Sequence, residues 1–188
     1  MKIALIVIGV LVVLVIAAGG QYVSVRNDLV QQRESVNAAW SAVDVALQRR
    51  ADLIPNLVET VKGYAKQETT VFKDIADARS ALISGRSPQE KIQANDQLSN
   101  ALARLLVVVE NYPQLRSNEN FLRLQDEIAG TENRIAVERR KYNETLQRYN
   151  TSIQVFPNNI VAGMAGFAYN NAYFQTEPGA RTAPKVSF

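Results

Sequence analysis

The sequence contains neither cysteine nor histidine. Without thiolate or imidazole groups, it lacks the ligands of the usual zinc sites and the nucleophile systems built on a Ser-His-Asp triad or a Cys-His pair. The Glu-x-x-His motif of di-iron helical bundles is excluded for the same reason. Only carboxylate, lysine, tyrosine and hydroxyl chemistry remains, so we expect no enzymatic activity, no metal and no cofactor.

A large excess of one sign of charge is also missing. The 21 basic residues are interspersed with 18 acidic ones, which leaves a net charge of +3. Nucleic-acid-binding proteins usually show a clustered basic face, so we expect no nucleic-acid partner. The 188 residues suit one domain with a short accessory segment.

One segment, Ile3 to Val25, has no charged side chain. Its length of about 23 residues exceeds the roughly 20 that a helix needs to cross the hydrocarbon core. The alternative is a cleaved signal peptide, with Lys2 as its basic region and the small residues at 17–20 as its cleavage region. Because the run is longer than the usual hydrophobic region of a signal peptide, we predict a transmembrane anchor over residues 1–25.

The basic residues that flank this segment give a weak indication of orientation. Lys2 and the terminal amine precede it, whereas Arg26 and Arg33 follow it together with the acidic residues Asp28 and Glu34. The count slightly favours a cytoplasmic N-terminus. We therefore expect the bulk of the chain outside the cytoplasm, in the periplasm of a diderm cell.

Four amphipathic helical segments follow the anchor. Apolar residues recur at steps of three and four residues, and short turns separate the segments, which favours antiparallel neighbours. The segments end near Arg50, at Ser84-Gly85, at Tyr112-Pro113 and at Phe156-Pro157. The pattern predicts an all-α fold, an up-down bundle of about four long helices over residues 26–156. We expect Gly85 to end its helix in the left-handed conformation and Ser117 or Asn118 to cap the last helix.

Pro55 lies between the first two of these segments. Proline is tolerated in the first turn of a helix, where its missing amide needs no partner. The sequence therefore predicts a hairpin corner, with Pro55 starting the second helix and with Arg49 and Arg50 facing the negative C-terminal end of the first. The alternative is a single long helix kinked at Pro55, and a proline inside a continuous helix costs about 3 kcal/mol.

The fourth helix is polar where its apolar stripe should continue. Thr131, Glu132, Glu138 and Arg139 occupy stripe positions. A polar layer of this kind commonly fixes helix register and pairing, and we favour that interpretation over an exposed charged face or a binding site. Convergence of the carboxylates on the second and third helices into a metal site is disfavoured, because no ligand-loop spacing accompanies Glu59, Glu68, Asp74 and Glu110.

The C-terminal segment, residues 157–188, differs in kind. No residue between Tyr149 and Thr176 is charged, and the segment is rich in small and aromatic residues. It suits packing against the helices or a position on the membrane surface, although surface segments usually carry Lys or Arg on a polar face. The final residues, EPGARTAPKVSF, are typical of a flexible end with a terminal extended segment.

Several motifs resemble the LemA family of bacterial membrane proteins. They are the N-terminal hydrophobic segment, AAWSAVDVALQRRADLIPNLVETVKGYAKQE at 38–68, VVVENYPQLRSNENFLRLQDEI at 107–128, TENRIAVERRKYN at 131–143, the Phe156-Pro157 step and the ending PKVSF. The resemblance implies a helical bundle tethered by one N-terminal membrane helix, without an established catalytic activity. Relatives in magnetosome-forming bacteria are implicated in membrane-organelle formation, and some members place the bulk of the chain in the cytoplasm.

These motifs and the polar layer supply the positions that we single out for interaction or structural polar roles. They are Arg49, Arg50, Asp52, Pro55, Asn56, Glu132, Asn133, Arg139, Tyr142 and Asn143. We expect a non-enzymatic, single-pass scaffold of the bacterial inner membrane. Its expected partners are the lipid bilayer, through the N-terminal helix, and other membrane or envelope proteins. The alternative is a self-assembling protein that shapes membranes or organises the envelope, which would act as a homo-oligomer.

Overall fold

The computed structural model describes residues 2–175, and all regular structure among them is helical. The predicted all-α class is confirmed for these residues. The helices are α1 (Lys2–Lys62), α2 (Thr69–Ser84), α3 (Pro88–Glu110), α4 (Pro113–Arg116), α5 (Glu119–Ser152) and α6 (Asn158–Ala165). The flexible end and terminal extended segment predicted for the last residues lie outside the described part of the chain.

The described residues form two compact units, and α1 and α5 each contribute to both. Unit 1 contains residues 2–39 together with Glu144–Asn171, and unit 2 contains Trp40–Asn143 together with residues 172–175. The sequence-based divisions after residues 25 and 156 follow membrane-span length and composition instead of packing, and they stay predictions.

The N-terminal part of α1 is long and apolar enough to cross a membrane. Its best window has a mean hydropathy of 3.0, and none of that window is buried. Large apolar side chains from Ile3 to Ile16 are at least half exposed. The core helix of a soluble protein would be covered, so the exposure favours a span. A signal sequence meets the same criteria, and cleavage therefore stays an open alternative.

The hairpin corner predicted at Pro55 is wrong, because α1 runs through it to Lys62. Proline has no N–H, so the carbonyl of Ala51 loses its normal partner four residues on. Arg79 of α2 supplies the replacement, since its Nε donates to Ala51 O over 2.8 Å. A long-range contact thus removes part of the cost of an internal proline, and Arg49 and Arg50 do not lie at a helix end.

The predicted end of the second segment is confirmed, but the left-handed conformation predicted for Gly85 is wrong. α2 ends at Ser84, but Gly85 has φ −57°, which is outside the left-handed region. A Cβ at this position would lie 3.0 Å from Lys91 Cγ and 3.3 Å from Ala81 O. The close approach of the following segment, and not a left-handed φ, accounts for a glycine here.

Side-chain caps define the starts of α3 and α5. Ser87 Oγ accepts from Glu90 N over 3.2 Å, and Glu90 Oε2 accepts from Arg86 N over 2.7 Å. The backbone bonds, together with nearby Arg86, lower the pKa of the Glu90 carboxyl. At α5, Phe121 N donates to Asn118 Oδ1 over 3.0 Å, which confirms the predicted cap.

Each unit has an apolar core formed by the predicted stripes. In unit 2 the fully buried side chains include Val43, Leu47, Ile54, Ile75, Leu98, Leu105, Leu115, Phe121, Ile135 and Tyr142. In unit 1 the buried side chains include Val25, Leu29, Val36, Leu146, Ile153, Val161 and Ala162. α6 ends at Gly166, whose φ of 75° is the left-handed conformation that glycine adopts at low cost.

Candidate interaction surface and its polar support

Arg50 is the centre of a polar cluster in unit 2. Its side chain is only 4% exposed, and its Nη1 lies 2.7 Å from Asn95 Oδ1, 3.1 Å from Ser99 Oγ and 2.8 Å from Glu132 Oε2. Burial lowers the pKa of the guanidinium, and the neighbouring Glu132 carboxylate opposes that shift. The predicted polar layer on α5 therefore extends to α1 and α3. Hydrogen bonds from Arg50 join α1 to α3, whereas an ion pair joins α1 to Glu132 of α5, whose Oε2 accepts no hydrogen bond among residues 2–175.

This cluster is not fully satisfied. Arg50 Nε and Asn95 Nδ2 are both buried, and neither has a hydrogen-bond acceptor among residues 2–175. Unmade hydrogen bonds of buried donors cost about 1–3 kcal/mol each. These unmade hydrogen bonds offset part of what the cluster contributes to stability.

Arg139 belongs to a second contact group in the same unit. Its Nη2 lies 3.6 Å from Asp96 Oδ1, and its guanidinium carbon lies 4.4 Å from the centroid of the Phe174 ring. That ring stacks on Trp40 at 6.1 Å and meets Tyr142 edge-on at 6.0 Å. The segment after α6, which has no regular secondary structure in the described residues, therefore contributes an aromatic side chain to unit 2.

Asn143 holds the backbone of that segment by both ends of its amide. Its Nδ2 donates to Phe174 O over 2.9 Å, and Phe174 N donates to its Oδ1 over 3.1 Å. The same arrangement occurs within unit 1, where Asn150 Nδ2 donates to Asn170 O and Asn170 N donates to Asn150 Oδ1. Each asparagine side chain thus bonds both the N–H and the C=O of one residue in the segment, as a neighbouring strand would.

Tyr142 is enclosed beside this contact. Its side chain is 1% exposed, and its hydroxyl has no hydrogen-bond partner in the described part of the chain. Burial raises the pKa of the Tyr142 hydroxyl to about 12, with a smaller contribution from Tyr173. The shift reports an apolar enclosure, which is the environment of a core residue.

A surface groove in unit 2 runs between α1 and α5, with a volume of about 720 Å³. It is lined mainly by small residues, with Val45 71% exposed and with charged residues at its edges. A Cβ added at Gly130 would meet nothing within 4 Å. The lining residues are Ser41, Ala42, Val45, Ala46, Arg49, Glu127, Gly130, Thr131 and Arg134. We call this surface the α1/α5 groove.

The sequence-predicted positions divide between these places. Arg50 and Glu132 meet in the polar cluster, Arg139, Tyr142 and Asn143 meet around Phe174, and Arg49 lines the α1/α5 groove. The remaining four are exposed and belong to none of these three places. Asp52 accepts from Gln48, the carbonyl of Asn56 accepts from Thr60, Pro55 lies within α1, and Asn133 lies on the surface of α5.

The carboxylates weighed as metal ligands do not form a site. Glu59 pairs with Lys62, and Asp74 pairs with Arg104. Within residues 2–175, no group of three or more acidic side chains is close enough to hold a metal ion.

Sequence reasoning missed Asn95, Arg79 and Phe174. Asn95 had a detectable signal, because it lies one turn from Leu98 on the apolar stripe of α3, where a polar side chain needs a partner. Arg79 and Phe174 had none, since their roles depend on backbone groups distant in sequence.

Comparison with known proteins gives this chain relatives in several bacteria. It is 29% identical to magnetosome protein MamQ 2 of Paramagnetospirillum magneticum, over 83% of this chain and 66% of that protein. It is 26% identical to magnetosome protein MamQ of Magnetospirillum gryphiswaldense over the same shares. Protein LemA of Metamycoplasma hominis is 27% identical, over 82% of this chain and 70% of that protein. The chain thus spans just under two thirds of the MamQ relatives.

The LemA family matches residues 39–188, which include all of unit 2 and, from unit 1, the C-terminal part of α5 and α6. This range contains Arg50, Glu132, Asn143 and the α1/α5 groove. The chain therefore belongs to the LemA family.

Proposed function

We propose that this chain is a non-enzymatic scaffold of the bacterial inner membrane, an antiparallel helical bundle that is tethered by α1 and binds other membrane or envelope proteins. The observation that carries the proposal is the continuity of α1. One helix of 61 residues contains both the uncovered apolar run and core residues of unit 2, such as Val43 and Leu47. No linker separates the apolar run from these core residues, so one helix both anchors the chain and contributes to its folded core.

The α1/α5 groove is the binding surface that we propose. A surface of small side chains lets a partner backbone approach closely, and the charged residues at its edges supply orientation. The Arg50 cluster supports the surface, because the ion pair between Arg50 and Glu132 links α1 to α5 at positions next in sequence to the lining residues Arg49 and Thr131. The names of the MamQ relatives connect those proteins with magnetosomes, which supports membrane association of this chain.

The shifted pKa values of Arg50 and Tyr142 are consistent with structural roles for these two side chains. Burial causes the shifts at Arg50 and Tyr142, and both side chains are enclosed in unit 2. A catalytic acid or base instead needs a shifted group within reach of a substrate.

A site-directed cross-linking experiment tests the groove. The chain has no cysteine, so Val45→Cys introduces a single thiol that can carry a benzophenone in native membranes. We expect a reproducible cross-linked protein whose capture is lost on Gly130→Arg, since the new side chain fills the groove. Ala129→Arg is the matched control, because Ala129 is exposed on the same helix and does not line the groove.

Three outcomes separate the candidates. A second protein captured in a groove-dependent manner supports the scaffold. Capture of a second copy of this chain instead supports the alternative, a self-assembling protein that organises the envelope or shapes membranes. No capture, or capture that is equal with both arginine variants, refutes the groove as the binding surface.

Topology requires a separate measurement. Ser117 lies in the exposed turn between α4 and α5. If the bundle lies outside the cytoplasm, as we propose, a Ser117→Cys variant should react with a membrane-impermeant maleimide in cells whose inner membrane is intact. In a diderm cell the outer membrane is first permeabilised so that the reagent reaches the periplasm. Reaction only after the inner membrane is permeabilised would place the bundle in the cytoplasm.

A further inference from the structure

The uncharged segment around α6 leaves large apolar side chains exposed. Phe156, Ile160 and Met164 are 79%, 55% and 73% exposed. Ile160 and Met164 are one helical turn apart and so share a face, while Val161 and Ala162 on the other side of α6 are buried. Grouped exposure of this kind marks an interaction surface, whereas scattered single residues would not. We call these three residues the α6 apolar face.

Hydrogen bonds place the start of α6 within unit 1. Ser152 Oγ accepts from Gln32 Nε2 of α1 over 3.1 Å and from Asn158 Nδ2 of α6 over 3.2 Å. The start of α6 is therefore level with Gln32. Val25, the last residue of the uncharged run, lies seven residues earlier, about 10 Å along the helix axis.

The burial pattern of α1 extends this placement towards the span. Val25 and Leu29 are buried, although the large apolar residues before Ile16 are exposed. Apart from α1, unit 1 contains only Glu144–Asn171, and α5 ends at Ser152, level with Gln32. The segment after Ser152 is therefore the part of unit 1 that reaches the level of Leu29 and Val25. This is the level at which the span meets the headgroup region, a layer several ångströms thick.

We infer that the α6 apolar face inserts into the lipid bilayer at the interface beside the α1 span. The inference rests on the proposed tethering by α1. Phe156, Ile160 and Met164 would enter the boundary between headgroups and acyl chains. No residue from Tyr149 to Thr176 is charged, so the segment itself carries no ion into this boundary.

The missing basic residues are consistent with this occupant. Surface helices that bind membranes reversibly usually carry Lys or Arg, which attract anionic lipid. A segment held beside a membrane span needs no such attraction, because the tether supplies a high local concentration of lipid. A protein partner is less favoured, since interfaces between proteins commonly have a polar rim with charged groups around their apolar centre.

Depth-dependent fluorescence quenching of the full chain tests the insertion. A polarity-sensitive fluorophore is attached to Met164→Cys, and the protein is reconstituted in vesicles of phosphatidylcholine and phosphatidylglycerol. Nitroxide lipids labelled near the headgroup should remove most of the emission, and aqueous iodide should remove little. Glu144→Cys, an exposed position of unit 1 on α5, is the control and should show the opposite pattern.

A pair of charge variants tests the face itself. Ile160→Asp should move the fluorophore on Met164→Cys into water, with iodide quenching rising to the level of the Glu144→Cys control. Asn159→Asp adds the same charge to an exposed neighbour on α6 and should leave the lipid quenching unchanged.

The remaining outcomes overturn the inference or its premise. Equal iodide quenching at Met164→Cys and Glu144→Cys would show that the face is in water. Protection from both quenchers that disappears when the protein is diluted in the vesicles would show that a second copy covers it. A fluorophore on Val12→Cys reports the tether separately, so its failure to respond to nitroxides deep in the acyl chains would refute the proposed anchor instead.

Discussion

The contact between Arg79 and the carbonyl of Ala51 provides a quantitative test of how α1 continues through Pro55. Ala51 is fully buried, and the Arg79 Nε donates to its carbonyl over 2.8 Å. Arg79→Met keeps most of the side-chain volume and removes the donor. Leaving a buried carbonyl without a partner costs about 1–3 kcal/mol, so we expect the free energy of unfolding to fall by about 2 kcal/mol.

The variant Pro55→Ala restores the amide that Ala51 O lacks. In that background the carbonyl has an intrahelical partner, and Arg79→Met should cost less than about 0.5 kcal/mol. The double-mutant cycle should therefore give a coupling energy of about 1.5 kcal/mol between two residues whose side chains need not touch. Pro55→Ala alone should stabilise the protein, because it removes a residue that disfavours helix.

The assay is urea unfolding of the full chain in detergent, monitored by circular dichroism. Arg123→Met is the control for loss of an exposed positive charge, and it should change stability by less than about 0.5 kcal/mol. Equal costs of Arg79→Met in the two backgrounds would refute the explanation. The proline would then be tolerated for a reason unrelated to the Ala51 carbonyl.

Four further substitutions test the contacts of unit 2. Arg50→Leu should destabilise the protein by about 2–4 kcal/mol, because Arg50 is 4% exposed. Glu132→Gln should cost less than about 1 kcal/mol, because Glu132 is 43% exposed. Equal losses in urea unfolding would contradict the central role of Arg50 in the cluster. Tyr142→Phe should leave stability at neutral pH unchanged or slightly higher, since it removes an unpaired buried hydroxyl. The raised pKa of Tyr142 means that the folded state retains this proton where the unfolded chain loses it. Wild-type stability should therefore fall between pH 10 and about 12 relative to Tyr142→Phe, and parallel pH profiles would contradict this. Asn143→Ala should cost about 2 kcal/mol and increase amide hydrogen exchange at Phe174, whose N–H it releases; unchanged exchange there would refute the role of the asparagine.

The polar positions show how far sequence pattern extends. Glu132 and Arg139 were identifiable because they interrupt an apolar stripe, and a polar residue at such a position requires a partner. The pattern did not identify those partners. Asn95 and Ser99 come from α3, and Phe174 comes from a segment without regular structure. Pairing of this kind depends on which helices become neighbours, which no local rule determines.

The sequence by itself determined the helical class, the apolar run of α1, the end of α2 at Ser84 and a cap of α5 at Ser117 or Asn118, because periodicity, hydropathy and capping are local properties. The structure selected Asn118. It also determined the chemistry that the chain lacks. Tertiary structure alone decided whether α1 stops at Pro55, because the answer depends on a donor 28 residues away along the chain. It likewise decided that Arg50 is buried in a polar cluster instead of facing a helix end. In both cases a residue from another helix supplies a hydrogen-bond partner to a buried polar group, and only the folded chain brings the two together.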